Sequence, residues 1–257
     1  MARTTLSARA VLVTAAVAAL AAGATGCGAS AADDEHPDHR SFALQGATLT
    51  IDSDDSALEI VASDAAKTGA VAVTRWFEGS VAVGESPKVT WSMKDDRLTL
   101  RMHCSGVIAD CSARHRVEVP RGVAVKVEDD DGSVRARGFR DALSVHAQDG
   151  SVHVTDSSGP LDLRTEDGSV RAEVASRSVR TRTEDGSVRL DLSAVPDRVD
   201  SVSGDGSVTI ALPAAAYRVT TKTDDGGVDV TVPRDASSAH VVSARTADGK
   251  VTVGNAN

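Results

Sequence analysis

Thr165-Glu166-Asp167-Gly168-Ser169-Val170 recurs unchanged at Thr183-Glu184-Asp185-Gly186-Ser187-Val188, eighteen residues later. Its core, DGSV, also begins at Asp131, Asp149 and Asp205. Asp-Gly pairs then mark a longer series: Asp131-Gly132, Asp149-Gly150, Asp167-Gly168, Asp185-Gly186, Asp205-Gly206, Asp225-Gly226 and Asp248-Gly249. The spacings are 18, 18, 18, 20, 20 and 23 residues, and self-similarity at such a period is the signature of a solenoid or repeat array.

Aligned on these pairs, the chain resolves into columns. Six residues before each Asp stand Val125, Leu143, Leu161, Val179, Val199, Val219 and Val242. Three after it stand Val134, Val152, Val170, Val188, Val208, Val228 and Val251. Apolar and polar positions alternate within each repeat, the period of a half-buried β-strand. Frequent Asp-Gly and Pro punctuation and β-branched core columns leave no room for helix. A hexapeptide helix also has 18-residue coils, but it would need apolar residues where Asp167 and Glu173 follow Leu161. The expected fold is therefore all-β: a parallel β-solenoid of roughly ten coils, each of about 18–20 residues. The alternative is an antiparallel meander or sandwich in which each Asp-Gly is a hairpin turn.

The template extends backwards through Leu49, Ile51, Asp55, Leu58 and Ile60, and again through Val89, Trp91, Met93, Asp95, Leu98 and Leu100. Glu78-Gly79-Ser80-Val81 reads as a degenerate copy. One repeat domain is thus expected over residues 42–257.

The residues before it have a different character. Arg3 and Arg9 precede the apolar run Ala10–Ala22, which ends in Ala24-Thr25-Gly26-Cys27. This is the pattern of a secretory signal over residues 1–26, closing in a bacterial lipobox with Cys27 as the acylated residue. Residues 27–41, small, polar and acidic, read as the acylated Cys and a disordered tether. The expected location is the outer face of the cell membrane, with the membrane as a partner through the lipid. Two further cysteines, Cys104 and Cys111, are expected to pair as a disulfide in an exported chain.

Charge and composition exclude some functions. The formal net charge is −9, and it becomes −11 without Arg3 and Arg9, a poor match for nucleic acid. Aromatic residues make up 2% of the chain, so stacking platforms are few. His36 and His39 in the polar segment are too few for a firm metal site, and His103 and His115 beside the cysteines match no zinc spacing. No metal, cofactor or small-molecule substrate is expected.

The acidic column has three readings. Adjacent coils ~4.8 Å apart would bring like charges together, and a bridging Ca²⁺ would offset that; the sequence lacks the Gly-rich nonapeptide of calcium-binding β-rolls. A catalytic pair such as Glu166/Asp167 would suit glycoside chemistry, but a single active site does not need the same turn repeated along the chain. The structural reading treats Asp-Gly as a corner in which Asp makes an Asx turn and Gly takes a positive φ. Thr165, Thr183, Ser203, Thr223 and Thr246 then form a hydroxyl ladder beside it. Basic residues flank it and are expected to offset its charge: His146, Arg164, Arg182, Lys222 and Arg245 before, and Arg135, His153, Arg171 and Arg189 after.

Val117-Glu118-Val119-Pro120-Arg121-Gly122-Val123-Ala124-Val125, leading into EDDDGSVRARGFRDALSVHAQDGSV, resembles a bacterial β-strand-repeat family of candidate adhesins, a domain of unknown function. The pattern returns at Leu161–Val174 and Val219–Val232, and the resemblance covers residues 42–253. It implies an extracytoplasmic, non-catalytic repeat protein with an adhesin-like or envelope-associated role, and it transfers no catalytic residues. Another cell-surface protein or a glycan is the implied partner. Trp76, Phe77 and Trp91 would form the contact patch of a carbohydrate-binding alternative, and a polysaccharide-active β-helix enzyme is the remaining one.

Overall fold

The computed structural model describes residues 30–256. After a 3-10 turn at Ala31–Asp33, the strands are β1 (Asp38–Ala43), β2 (Thr48–Ser53), β3 (Ser56–Ser63), β4 (Ala70–Gly84), β5 (Lys88–Lys94), β6 (Arg97–His103) and β7 (Gly106–Pro120). The repeats follow as β8 (Ala124–Asp129), β9 (Val134–Arg137), β10 (Leu143–Asp149), β11 (Val152–Thr155), β12 (Leu161–Asp167), β13 (Val170–Val174), β14 (Ser178–Asp185) and β15 (Val188–Leu192). The last are β16 (Arg198–Asp205), β17 (Val208–Leu212), β18 (Arg218–Lys222), β19 (Val228–Val230), β20 (Val241–Arg245) and β21 (Val251–Asn255). They form two sheets, one of eleven strands and one of ten.

In the repeats each coil gives one strand to each sheet, and equivalent strands pair in parallel. Leu143 lies opposite Leu161, and Leu161 opposite Val179; in the other sheet Val152 lies opposite Val170, and Val170 opposite Val188. Period-two alternation sends these columns into the space between the sheets, where Leu143, Val145, Val170, Leu190 and Ile210 are buried. The repeats are thus a parallel β-solenoid, and the meander reading does not hold for them.

Antiparallel pairing is confined to the N-terminal end, where β4 pairs with β7 and β1, and β5 with β6. Two expectations fail there. Glu78-Gly79 is no corner: Gly79 lies in mid-strand, opposite Cys111. Asp95 and Asp96, with φ of 51° and 57°, form the tight hairpin between β5 and β6. Asp96 holds this turn against the entering chain, its carboxylate accepting from the N–H groups of Gln45 (2.8 Å) and Gly46 (2.7 Å).

The segment read as a tether is also structured from Ala31 onward. Asp38 to Ala43 pair with Arg75 to Ala70 of β4. The bonding is backbone to backbone, which leaves the polar side chains outward and only Phe42 buried. Composition alone therefore marks it as loop, although a strand edge holds it. Cys27 lies outside the described residues.

Coil order departs from chain order at both ends. β20 and β21 insert between the β16/β17 coil and the β18/β19 coil, so the sheet orders end β16-β20-β18 and β17-β21-β19. At the other end β2 and β3 lie against β8 and β9, and β6 and β7 lie outside them.

The corners explain the glycines, through positive φ at Gly206, Gly226 and Gly249, and through close approach at the corners before them. At Gly150, Gly168 and Gly186 a Cβ would stand 2.0–2.1 Å from the carbonyl oxygen of the glycine in the neighbouring coil. The hydroxyl column fastens the same carbonyls. Thr165 donates to Gly150 O (3.1 Å), Thr183 to Gly168 O (3.0 Å), Ser203 to Gly186 O (2.8 Å) and Thr246 to Gly206 O (2.8 Å). The hydroxyls therefore reach from coil to coil through backbone oxygen, and not through one another. Each such bond is worth ~1 kcal/mol.

Gly122 provides the contrast, since its φ of 83° demands glycine while a Cβ there would meet nothing within 4 Å. Gly168→Ala should therefore cost ~3 kcal/mol or more, the scale of backbone overpacking. Gly122→Ala should cost only the ~1–2 kcal/mol of a left-handed residue. Urea unfolding of the two variants measures the difference; equal losses would refute the close-approach account.

Candidate functional site

The aspartates of the Asp-Gly corners form one exposed line. Asp149 lies opposite Asp167, Asp167 opposite Asp185 and Asp185 opposite Asp205; Asp248 bridges Asp205 and Asp225. The last two corners thus stack in reverse chain order. The turn itself is held by backbone, with Gly150, Gly168 and Gly186 donating to the carbonyls of Asp167, Asp185 and Asp205. No Asx turn forms at these corners, and the carboxylates face solvent.

The flanking basic residues do not neutralise this line as expected. Arg164 binds Asp162 (2.9 Å), Arg171 binds Glu173 (2.6 Å) and Arg189 binds Asp191 (3.0 Å), each a neighbour two residues away on its own strand. Partial desolvation, and then the neighbouring carboxylates Asp131 and Asp167, hold the Asp149 carboxyl above its ordinary range. Asp55 is raised in the same way, by burial and by Asp131. Among the described residues no three His, Cys, Asp or Glu side chains converge as a metal site.

One polar group was missed by sequence reasoning. Asp129, Ser53, Ser56 and His115 are all buried, at 0–2% exposure. His115 Nδ1 lies 3.1 Å from Ser56 Oγ, and Ser56 Oγ lies 3.0 Å from Ser53 Oγ. Ser53 in turn lies opposite Asp129 in the β2–β8 pairing, and the Asp129 carboxylate accepts the Gly132 N–H at 3.0 Å. The group ties β2, β3 and β7 of the N-terminal end to β8, the first strand of the regular repeats. Asp129 occupies the column that holds Thr165 and Thr183 further along, since Asp129 lies opposite Ala147 and Ala147 opposite Thr165. A carboxylate in a hydroxyl column is the signal that could have revealed it.

Although it combines serine, histidine and aspartate, this group is not built for nucleophilic catalysis, which needs the nucleophile open to a substrate. Its four side chains are sealed from solvent. Asp129 Oδ1 and His115 Nε2 have no partner, so both charged forms are disfavoured. Burial pushes the Asp129 carboxyl up to about 7. Burial, with Arg75 nearby, pushes the His115 imidazole down to about 4.

The aromatic patch is largely covered by arginine. The guanidinium of Arg114 lies 4.1 Å from the Trp76 ring centre, that of Arg75 4.4 Å from Trp91, and that of Arg40 4.6 Å from Phe42. These cation–π contacts occupy a face of each ring that a sugar would need, and Phe42 also packs edge-on against Trp91.

Beyond the Trp76 region, β4 and β7 continue past the end of β3 as a two-stranded finger, with Val83 opposite Val107 and Gly84 opposite Gly106. Cys104 and Cys111 are disulfide-bonded at this finger, their Cα atoms 6.2 Å apart.

The two buried ionisable groups set opposite pH slopes. Asp129 binds its proton more tightly in the folded chain than at the ordinary 3.8, so its contribution is present below that pH and is lost as pH rises through about 7. His115 contributes above its ordinary 6.5, and that contribution is lost as pH falls through about 4. Between about pH 4 and 6.5 the slopes oppose, each up to ~1.4 kcal/mol per unit. Relative to the wild type, Asp129→Asn should therefore gain ~3 kcal/mol as pH rises across this window, and His115→Gln should lose a comparable amount. Urea unfolding at several pH values reads both, and parallel profiles for all three proteins would refute the assignment.

A solved structure shares the fold. A candidate adhesin from Bacteroides fragilis superimposes with a TM-score of 0.52 at 15% identity, covering 86% of this chain and 97% of that one. A candidate adhesin from Parabacteroides merdae gives 0.45 at 12% identity, covering 87% and 98%. No curated protein is significantly similar to this chain. The Toastrack DUF4097 family model matches residues 32–255, nearly the whole described solenoid with its N-terminal finger, and the chain belongs to that family.

Proposed function

We propose that the protein is exported, acylated on Cys27 after removal of residues 1–26, and held at the outer face of the cell membrane as a non-catalytic, adhesin-like or envelope-associated scaffold. The observation that supports this best is how the polar side chains are used. The hydroxyl column fastens coil to coil, and the flanking arginines pair along their own strands. The one serine–histidine–aspartate group is sealed in the core. What remains for a partner is the long, regular outer surface of the solenoid, the kind of rigid extended face that repeat proteins use for binding. The adhesin description of the protein that shares the fold agrees with such a role.

The lipid is the testable part. A small-residue run closing on Cys27 supports modification by a diacylglyceryl group, and two or more acyl chains suffice for stable anchoring. Labelled palmitate should enter the wild-type protein and not Cys27→Ala, and the variant should leave the membrane fraction. Equal labelling of the two would overturn the anchor.

A further inference from the structure

Large aliphatic side chains are exposed at only two places among the described residues. Val228 lies on the outermost strand of the C-terminal end; Val83, Val107 and Ile108, at 66%, 64% and 79% exposure, share the tip of the β4/β7 finger. On both strands the odd-numbered residues face one side, Val83 and Val107 among them, while the even-numbered Ile108 lies between the paired residues Val107 and Ala109 at the tip. Near the solenoid that side is core, with Val71, Val73, Val117 and Val119 almost fully buried. The finger carries the same apolar face outward beyond anything that covers it. Ile108 adds a φ of 55°, a conformation that β-branched residues avoid. Lys88 and Glu85, near the tip, pair with each other at 3.3 Å and remain exposed.

The entering chain points to what that partner is. β1 runs antiparallel to β4 with Asp38 opposite Arg75, so the residues before Asp38 lead toward the C-terminal end of β4, where the tip lies. Asp34 accepts the Phe77 N–H at 3.0 Å, and Ala31 is buried. The 3-10 turn at Ala31–Asp33 packs on β4 and β7. The start of the described chain is therefore fixed along the finger. Cys27 is three residues before Ser30, a reach of at most ~11 Å. A lipid on Cys27 is thus tied within that reach of the 3-10 turn, which packs on the two strands of the finger.

We infer that the finger tip, through Val83, Val107 and Ile108, enters the same bilayer leaflet as the lipid on Cys27, so that the N-terminal end of the solenoid is seated on the membrane at two points. This rests on the acylation proposed above. Two points of attachment fix an orientation, whereas a lipid on a free tether would not. The C-terminal coils, with Val228, stand away from the bilayer.

Photo-crosslinking of the full acylated chain tests this. Benzoylphenylalanine replaces Ile108 in one protein and Val228 in another, each reconstituted in vesicles of phosphatidylcholine and phosphatidylglycerol. Palmitate labelling is measured on the same samples, and the Cys104–Cys111 disulfide is checked by non-reducing electrophoresis as a sign of correct folding. The expected result is a phospholipid adduct from position 108 and none from 228. With palmitate incorporated, no lipid adduct at 108, equal adducts at both positions, or an adduct to protein at 108 would each overturn the seating while leaving the anchor intact. Absence of palmitate would overturn the anchor reading and the seating with it.

Discussion

Everything in this molecule depends on how closely one coil can lie on the next at the Asp-Gly corner. Stacked strands are ~4.8 Å apart, and around the corner the backbone comes so near its neighbour that a single methyl group would collide with a carbonyl oxygen at Gly150, Gly168 and Gly186. Glycine removes the obstacle and the Thr or Ser two residues before the Asp turns the contact into a bond. The valine columns on either side then fall into register without further instruction. Burial supplies most of the stabilisation, but the corner decides that apolar faces meet in parallel stacks.

The parts of this that could be read from the sequence are those that repeat locally. Val134, Val152, Val170 and Val188 lie in one column whether one counts residues or looks between the sheets. The function of Gly168 was legible only as a turn, because an approach between coils leaves no trace within one coil. Coil order was illegible for a related reason. Val199 can pair with the column residue of either following coil, and the apolar pattern is the same for Val219 and Val242; the structure pairs it with Val242. Gly79 misled because Glu-Gly-Ser-Val imitates the corner, while a long antiparallel partner, Gly106–Pro120, overrides the local signal. Asp38–Ser41 misled in the opposite sense, since backbone pairing at an edge makes little demand on side chains.

The candidate sites divide along the same line. The corner aspartates were visible in the sequence but have no turn-forming task that the structure reveals, apart from crowding one another near Asp131 and Asp149. The buried Asp129–Ser53–Ser56–His115 group was hidden because Ser53 and Ser56 lie far in sequence from His115 and Asp129. It sits where the irregular N-terminal end meets the first regular coil, and its two orphaned atoms place an energetic cost at that junction, where each charge state is disfavoured. The finger was foreshadowed by the two cysteines, though not its direction or its bare aliphatic tip.

The reversed placement of the last two coils has a consequence for how such a chain can be made and altered. In a simple stack, coils could dock as they leave the ribosome, and the array could be shortened from its end. Here β18 and β19 have no strands to lie on until β20 and β21 have been synthesised and laid beneath them. The final segment is a keystone: it is the last to arrive, yet an inner course of the wall. Duplication or loss of coils is therefore tolerable only in the regular middle, between the β8/β9 and β16/β17 coils. There a new coil meets neighbours like itself, and both interlocked ends are left as they were.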